Sequence, residues 1–212
     1  MKILILGYSN LLKKRILKVL IKKNIDFCIA SKSFAQKEKK ASNWYRNYNY
    51  ALNHSNADLV YISLPNSLHY LWSKKALEKN YHVIVDKPLC ENYTQAKKLV
   101  KIAKRKKKLL AEATFFNYHK QFIQALKLLK GSKNIKFVNT NFIIPMPKKD
   151  SFRMNKKLGG GCIMDMGSYA ASTARLLGSG KLINMNSHIF KDKNGVVIAF
   201  HIFCKFKNNN YF

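Results

Sequence analysis

Along the first half of this chain, short unbroken apolar runs alternate with apolar residues at helical spacing. Ile3 to Leu6 form the first run and Gly7 closes it, the pattern of a buried parallel strand entering a tight turn. The opening residues superficially resemble a signal peptide. The apolar stretch is too short for one, and Lys13, Lys14 and Arg15 follow at once. Leu11, Leu12, Ile16, Val19 and Leu20 recur at helical spacing and predict a helix to about Lys23. Ile25 to Ala30 predicts a second strand, ending in Ser31-Lys32-Ser33. From Ala35 to Asn56 the chain is polar and aromatic, and its weak periodicity places no element. Asp58 to Leu64 predicts a third strand halted by Pro65, and Asn66 or Ser67 can cap the helix after it. Tyr81 to Val85 predicts a fourth strand, ending at Asp86-Lys87-Pro88. A helix from Tyr93 to Lys107 then leads to a strand from Leu109 to Thr114.

Strands alternating with helices predict a parallel sheet covered on both faces, a doubly wound Rossmann arrangement over residues 1–115. Beyond it the rhythm changes. A helix from Tyr118 to Leu129 precedes a long strand from Ile135 to Ile144, a loop rich in Pro and Lys, and the run Gly159-Gly160-Gly161. A further helix and strands from Met185 to Phe190 and from Val196 to Phe206 follow. Residues 116–212 therefore predict an α+β domain with an open, incomplete and mostly antiparallel sheet. No internal repeat is present at solenoid periods.

Composition changes this picture at few points. A hydrophobic share of 47% argues against disorder as an account of the whole chain. No apolar run approaches the ~20 residues that cross a bilayer, so the expectation is a cytoplasmic protein with no membrane partner. The net charge of +30 invites a polyanion reading. Only five of the 40 basic residues are arginine, the side chain suited to bidentate base reading, and the lysines spread over nearly every helix. The expectation is loose, salt-sensitive polyanion attraction without specific nucleic-acid recognition. Cys28, Cys90, Cys162 and Cys204 are scattered, which fits buried reduced thiols and neither a disulfide framework nor a zinc site. No metal is expected.

Candidate chemistry collects at the predicted strand ends, where open α/β sheets bind ligands. Gly7-Tyr8-Ser9-Asn10-Leu11-Leu12 stands where a G-x-G-x-x-G fingerprint belongs, and only the first glycine is present. Ser9 is small enough to let a pyrophosphate approach, and the helix start at Asn10 and Leu11 offers an anion site. Leu12 in place of a small residue predicts looser helix–strand packing. After the second strand Ser31-Lys32 replaces the carboxylate that would hold a ribose 2′-hydroxyl, which favours a 2′-phosphate and hence NADP over NAD.

The runs Leu64-Pro65-Asn66-Ser67-Leu68-His69, Asp86-Lys87-Pro88-Leu89 and Gly159-Gly160-Gly161-Cys162-Ile163-Met164-Asp165-Met166-Gly167-Ser168-Tyr169 strongly resemble motifs of the Gfo/Idh/MocA oxidoreductase family. Leu64 stands for the usual Thr, Asp86 for the usual Glu, and Tyr169 for the His of many members, as in the family's nucleotide-sugar ketoreductases. The resemblance implies a nicotinamide-dependent sugar or nucleotide-sugar oxidoreductase, often a homo-oligomer, here shortened at the C-terminus. It implies that Gly7, Ser9, Asn10, Leu11, Ser31, Lys32, Leu64, Pro65, Asn66, His69, Asp86 and Lys87 hold the cofactor. Lys87, Asp165 and Tyr169 become the catalytic candidates, and Asn117 and Arg153 join them in binding substrate. A lysine at a strand end can stabilise developing alkoxide charge, and a tyrosine beside a cation can move the hydroxyl proton.

Each assignment has a plainer rival: a surface lysine at Lys87, a helix cap at Asp165, a core aromatic at Tyr169, a surface ion pair at Arg153. Phe152 stands where members often have Trp. Tyr118 and His119 follow the fifth strand, and His119 reads first as structural. The rival function is a degenerate or truncated member that binds a dinucleotide or sugar without turning it over.

Overall fold

The computed structural model describes residues 1–32, 38–129 and 135–211. The chain forms two compact units, Met1–Ala113 and Thr114–Phe212.

In the first unit β1 (Lys2–Leu6), β2 (Asp26–Ala30), β3 (Trp44–Tyr45), β4 (Leu59–Ile62), β5 (His82–Asp86) and β6 (Leu110–Ala113) form one sheet of order β3-β2-β1-β4-β5-β6. Every pairing is parallel, and the order reverses between β1 and β4. That reversal opens a crevice above the carboxyl ends of the two strands. A π-helical turn Leu12–Ile16 running into α1 (Leu17–Lys22), with α2 (Tyr48–His54), α3 (Asn66–Glu78) and α4 (Tyr93–Lys106), supplies the layers. The doubly wound parallel sheet expected from the pattern is present.

Strand pleating divides the core by parity. Leu4, Leu6, Val60, Ile62, Val83 and Val85 pack in one cluster with residues of α2, α3 and α4. Ile3, Ile5, Phe27, Ile29 and Tyr61 pack in another with Leu12, Leu17 and Leu20. Leu12 is fully buried, so the large residue in the fingerprint's third small position is absorbed into this core. Each fully buried leucine or isoleucine contributes about 1.5–3 kcal/mol.

Several expected boundaries move. The stretch left unplaced yields β3 and α2, the latter capped by the Asn47 side chain accepting from Tyr50 N; Ser33 and residues 34–37 lie outside the described residues. Neither Asn66 nor Ser67 caps α3. Pro65 holds that position at φ −57°, and Asn66 is the first helical residue. α4 is capped by Asn92, whose side chain accepts from Gln95 N at 3.0 Å.

In the second unit the single helix expected over 118–129 divides into a 3-10 turn, Phe115–Tyr118, and α5 (Lys120–Leu128), with His119 extended between them. The strand expected over 135–144 shortens to β7 (Phe137–Val138). An apolar run needs a partner to become a strand, and among the described residues β7 pairs with the two residues of β10 (Asn210–Tyr211) alone. Pro145 and Pro147 further remove ladder donors just beyond. The remainder is α6 (Cys162–Leu177), β8 (Leu182–Lys191) and β9 (Val197–Phe206), in a sheet of order β7-β10-β9-β8. β8 and β10 each pair antiparallel with β9. Ala174 and Leu177 of α6 pack on Ile202, Cys204 and Phe206 of β9, while β8 is exposed throughout. All four cysteines are free; Cys28 and Cys204 are buried, whereas Cys90 and Cys162 are only half-buried. Among the described residues no helix is long and apolar enough to cross a membrane.

Candidate active site

At the carboxyl end of β1 the chain turns sharply at Gly7, with φ +99° and its N–H donating to Ala30 O at 2.8 Å. A Cβ there would lie 2.2 Å from the Ser63 carbonyl oxygen, so the turn is pressed against the end of β4. Ser9 Oγ accepts from Leu12 N at 3.1 Å and lies 2.7 Å from Ser63 Oγ. Asn10 and Leu11 are exposed at the helix start. The π-helical turn has no acidic residue in its first turn and holds Lys13, Lys14 and Arg15. A dinucleotide pyrophosphate fits such a place, since helix-start N–H groups and cations favour an anion. At the end of β2, Ser31 is buried and its N–H donates to Tyr45 O at 3.0 Å, while Lys32 is exposed.

The ends of β4 and β5 are joined more closely. The register pairs Tyr61 with Ile84 and Ile62 with Val85, so Ser63 falls beside Asp86 on one face. Tyr61 OH donates to Asp86 Oδ1 at 2.5 Å, and Ser63 Oγ donates to Asp86 Oδ2 at 2.7 Å. Burial first, then the charge of Asp86 and its hydrogen bond, push the Tyr61 phenol far above its ordinary range. The phenol therefore keeps its hydrogen and acts as a donor. Asn66 and His69 are buried. His69 places Nε2 2.8 Å from Leu64 O and Nδ1 2.7 Å from Pro88 O, spanning the loops after β4 and β5. Lys87 is half-buried and joined to Pro88 by a cis peptide bond; the Leu89 N–H beyond donates to Glu112 Oε1 at 2.8 Å.

In the second unit the glycine run wraps the backbone of Phe152 and Arg153. Gly161 N donates to Arg153 O at 2.7 Å, and a Cβ on Gly160 would lie 2.5 Å from that same oxygen. This brings Arg153 over the first turn of α6, where its Nε donates to Asp165 Oδ2 at 2.7 Å. The ion pair is lopsided, Asp165 being 14% exposed and Arg153 45%. A turn later the Tyr169 ring packs against Phe116 and Phe142, with centroids 5.4 Å and 5.7 Å away. Asn117 Oδ1 accepts from Ser172 Oγ at 3.2 Å, and His119 caps α5 with Nδ1 accepting from Gln121 N. Tyr118 is exposed.

Within the first unit the structure thus brings together Gly7 and Ser9, and also Leu64, His69 and the Asp86-Lys87-Pro88 turn. Within the second it brings Arg153 to Asp165. Tyr61, Ser63 and Glu112 were not singled out in the sequence. Ser63 carried one signal, as a small polar residue just past the end of β4 and two places before Pro65. No register was available there to set it opposite Asp86.

A doubly wound sheet with a glycine turn after β1 and polar groups at its switch point is the arrangement in which Rossmann units hold a dinucleotide. Comparison with known proteins agrees. Residues 1–114 match the oxidoreductase family model with an NAD-binding Rossmann fold, and residues 134–211 match the GFO/IDH/MocA C-terminal domain. The chain belongs to the GFO/IDH/MocA family. It is 32% identical over 168 residues to a dTDP-3,4-didehydro-2,6-dideoxy-alpha-D-glucose 3-reductase of Saccharopolyspora spinosa, covering 76% of this chain and 51% of that relative. It is 32% identical over 134 residues to a D-xylose 1-dehydrogenase (NADP(+)) of Haloferax volcanii, covering 62% of this chain and 41% of that one. The chain thus spans about half the length, or less, of these curated relatives. Among solved structures, a 3-ketoreductase from Actinomadura kijaniata in complex with NADP and TDP-benzene matches with a TM-score of 0.89 at 24% identity, over 100% of this chain and 68% of that one. A biliverdin reductase from Synechocystis matches with a TM-score of 0.80 at 19% identity, over 99% and 70%. These two likenesses establish the fold and leave the substrate to the site.

Proposed function

We propose that this chain serves hydride transfer between NADP and a carbinol or ketone carbon of a sugar, with a nucleotide-linked sugar as the first substrate to try. The observation that supports it most is the Asp86-Lys87-Pro88 turn at the carboxyl end of β5, held by His69 through Pro88 O and by Glu112 through Leu89 N. When bound, the nicotinamide would supply or accept the hydride. Lys87 polarises the reacting oxygen and stabilises its developing negative charge. Tyr169 handles the hydroxyl proton, and Asp165, fixed by Arg153, orients the reacting groups. Gly7, Ser9, Asn10 and Leu11 form the phosphate side, and Asn66 and His69 support the turn around the nicotinamide end. Ser31 and Lys32, without a carboxylate, suit a 2′-phosphate. Asn117 and Arg153 belong to the substrate side.

Lys87→Met removes the ammonium and keeps much of the side-chain volume. It is expected to lower turnover by about 100-fold or more, the scale of losing one transition-state donor, while NADPH affinity stays within a few-fold. Steady-state kinetics and NADPH fluorescence titration check this. Unchanged turnover in an active sample overturns the assignment.

A second reading, a non-catalytic binder of dinucleotide or sugar, is favoured by Ser9 in place of the second fingerprint glycine. Micromolar NADPH binding with no turnover on a panel of sugars and nucleotide sugars supports that reading over the first.

A further inference from the structure

We propose that Ser9, Ser63 and Asp86 form a directed hydrogen-bond row, braced by Tyr61, in which Ser9 is a positioning residue tying the loop after β1 to the Asp86-Lys87-Pro88 turn, with its hydroxyl turned to that task and not to the cofactor phosphates. The positioning half rests on the dinucleotide reading above. The direction of the row follows from counting hydrogens. An ionised carboxylate only accepts, and Asp86 receives Tyr61 OH on Oδ1 and Ser63 OH on Oδ2. Ser63 has one hydroxyl hydrogen, and it is spent on Asp86. The 2.7 Å contact between the two serines is then a hydrogen bond only if Ser9 donates. Ser9 Oγ in turn accepts from Leu12 N at 3.1 Å. Each hydrogen in the series Leu12 N–H, Ser9 O–H, Ser63 O–H points toward Asp86.

Ser9 thus has no hydroxyl hydrogen left for a phosphate oxygen, which as an anion needs a donor. Its hydroxyl faces β4, on the side where Gly7 approaches the Ser63 carbonyl. The row crosses three neighbouring strands of the sheet, β1, β4 and β5, at their carboxyl ends. It links the loop that would hold the pyrophosphate to the residue preceding Lys87. The fingerprint and the row make opposite predictions for one substitution. Ser9→Gly restores the second fingerprint glycine, which by that logic tightens dinucleotide binding. In the row the same change deletes the Leu12 cap and the link to Ser63, so it loosens the loop.

The test has two arms. NADPH fluorescence titration of Ser9→Gly is expected to show a Kd raised about tenfold, the scale of two net hydrogen bonds. An unchanged or lower Kd overturns the positioning role. The second arm needs no cofactor. Urea unfolding of Ser9→Ala, Asp86→Ala and the double variant, in chains with Ser63 intact, is expected to depart from additivity by roughly twofold or more in the unfolding constant. With Ser63→Ala the departure disappears, and with Ser63→Thr, which keeps the hydroxyl, it returns. Asp86→Asn replaces the alanine variant if that chain fails to fold. Additive behaviour with Ser63 intact overturns the row. Absence of NADPH binding by the unsubstituted chain overturns the dinucleotide reading and the positioning role with it, while the unfolding arm decides the row by itself.

Discussion

At Gly7 two independent constraints meet in one residue. The backbone stands at φ +99°, and a Cβ would fall 2.2 Å from backbone, the Ser63 carbonyl oxygen. A flexible side chain could give way, but a strand-end carbonyl cannot move without displacing β4. Gly7→Ala is therefore expected to cost roughly 2–4 kcal/mol of stability, combining torsional strain with overpacking. Thermal melts and NADPH titration check it, and a variant that melts and binds like the parent sinks the account. Cys28, fully buried in β2, sets a pH limit on the same unit. Burial chiefly, aided by Asp26 and opposed by Lys2, pushes its thiol from 9.0 up to about 11. Between those values the folded chain keeps a proton that the unfolded chain releases. Stability from this group is thus full below pH 9 and is lost as pH rises through 11, by up to about 3 kcal/mol. Urea midpoints measured across that window are expected to fall, and to fall less steeply in Cys28→Ala. Equal slopes in the two chains rule this out.

Among the elements, the first unit was legible because its strands are unbroken apolar runs stopped by Gly7, Pro65 and Pro88, a pattern that buried parallel strands require. Pattern failed where an element depends on a partner elsewhere in the chain. The run from Ile135 to Ile144 has the composition of a strand, yet among the described residues only Phe137 and Val138 of it find strand partners, in Asn210 and Tyr211. β3 is two residues long, too short for any periodicity to reveal. The site divides in the same way. Gly7, His69, Asp86 and Lys87 stand in recognisable runs. Ser63 and Tyr61 gain meaning only from the register that sets Ile62 against Val85 and so Ser63 beside Asp86. Arg153 was visible as a candidate, but its pairing with Asp165 depends on three glycines folding the chain back over α6.

At the scale of the whole molecule, charge is the term that local structure leaves uncompensated. The sequence holds 40 basic and 10 acidic residues. The ion pairs among the described residues include Lys2–Asp26 at 4.0 Å and Lys74–Glu78 at 3.9 Å, both with substantially exposed partners. Exposed pairs of that kind contribute about 0–1 kcal/mol each, and salt weakens them. Repulsion among the excess lysines acts over a much longer range at low salt, since the Debye length is about 30 Å at 0.01 M and about 8 Å at 0.15 M. The two effects of salt therefore oppose each other, and with a net charge of +30 the relief of repulsion is the larger. The thermal midpoint is expected to rise by a few degrees on going from about 10 to about 200 mM sodium chloride, roughly the response to 1 kcal/mol in a domain of this size. Chloride is the salt of choice because phosphate or sulfate could bind at the loop after β1 and stabilise by occupancy instead. A midpoint that stays level or falls over that range would mean that the ion pairs outweigh the repulsion, and that the lysines are spread widely enough over the surface to cost the folded chain little.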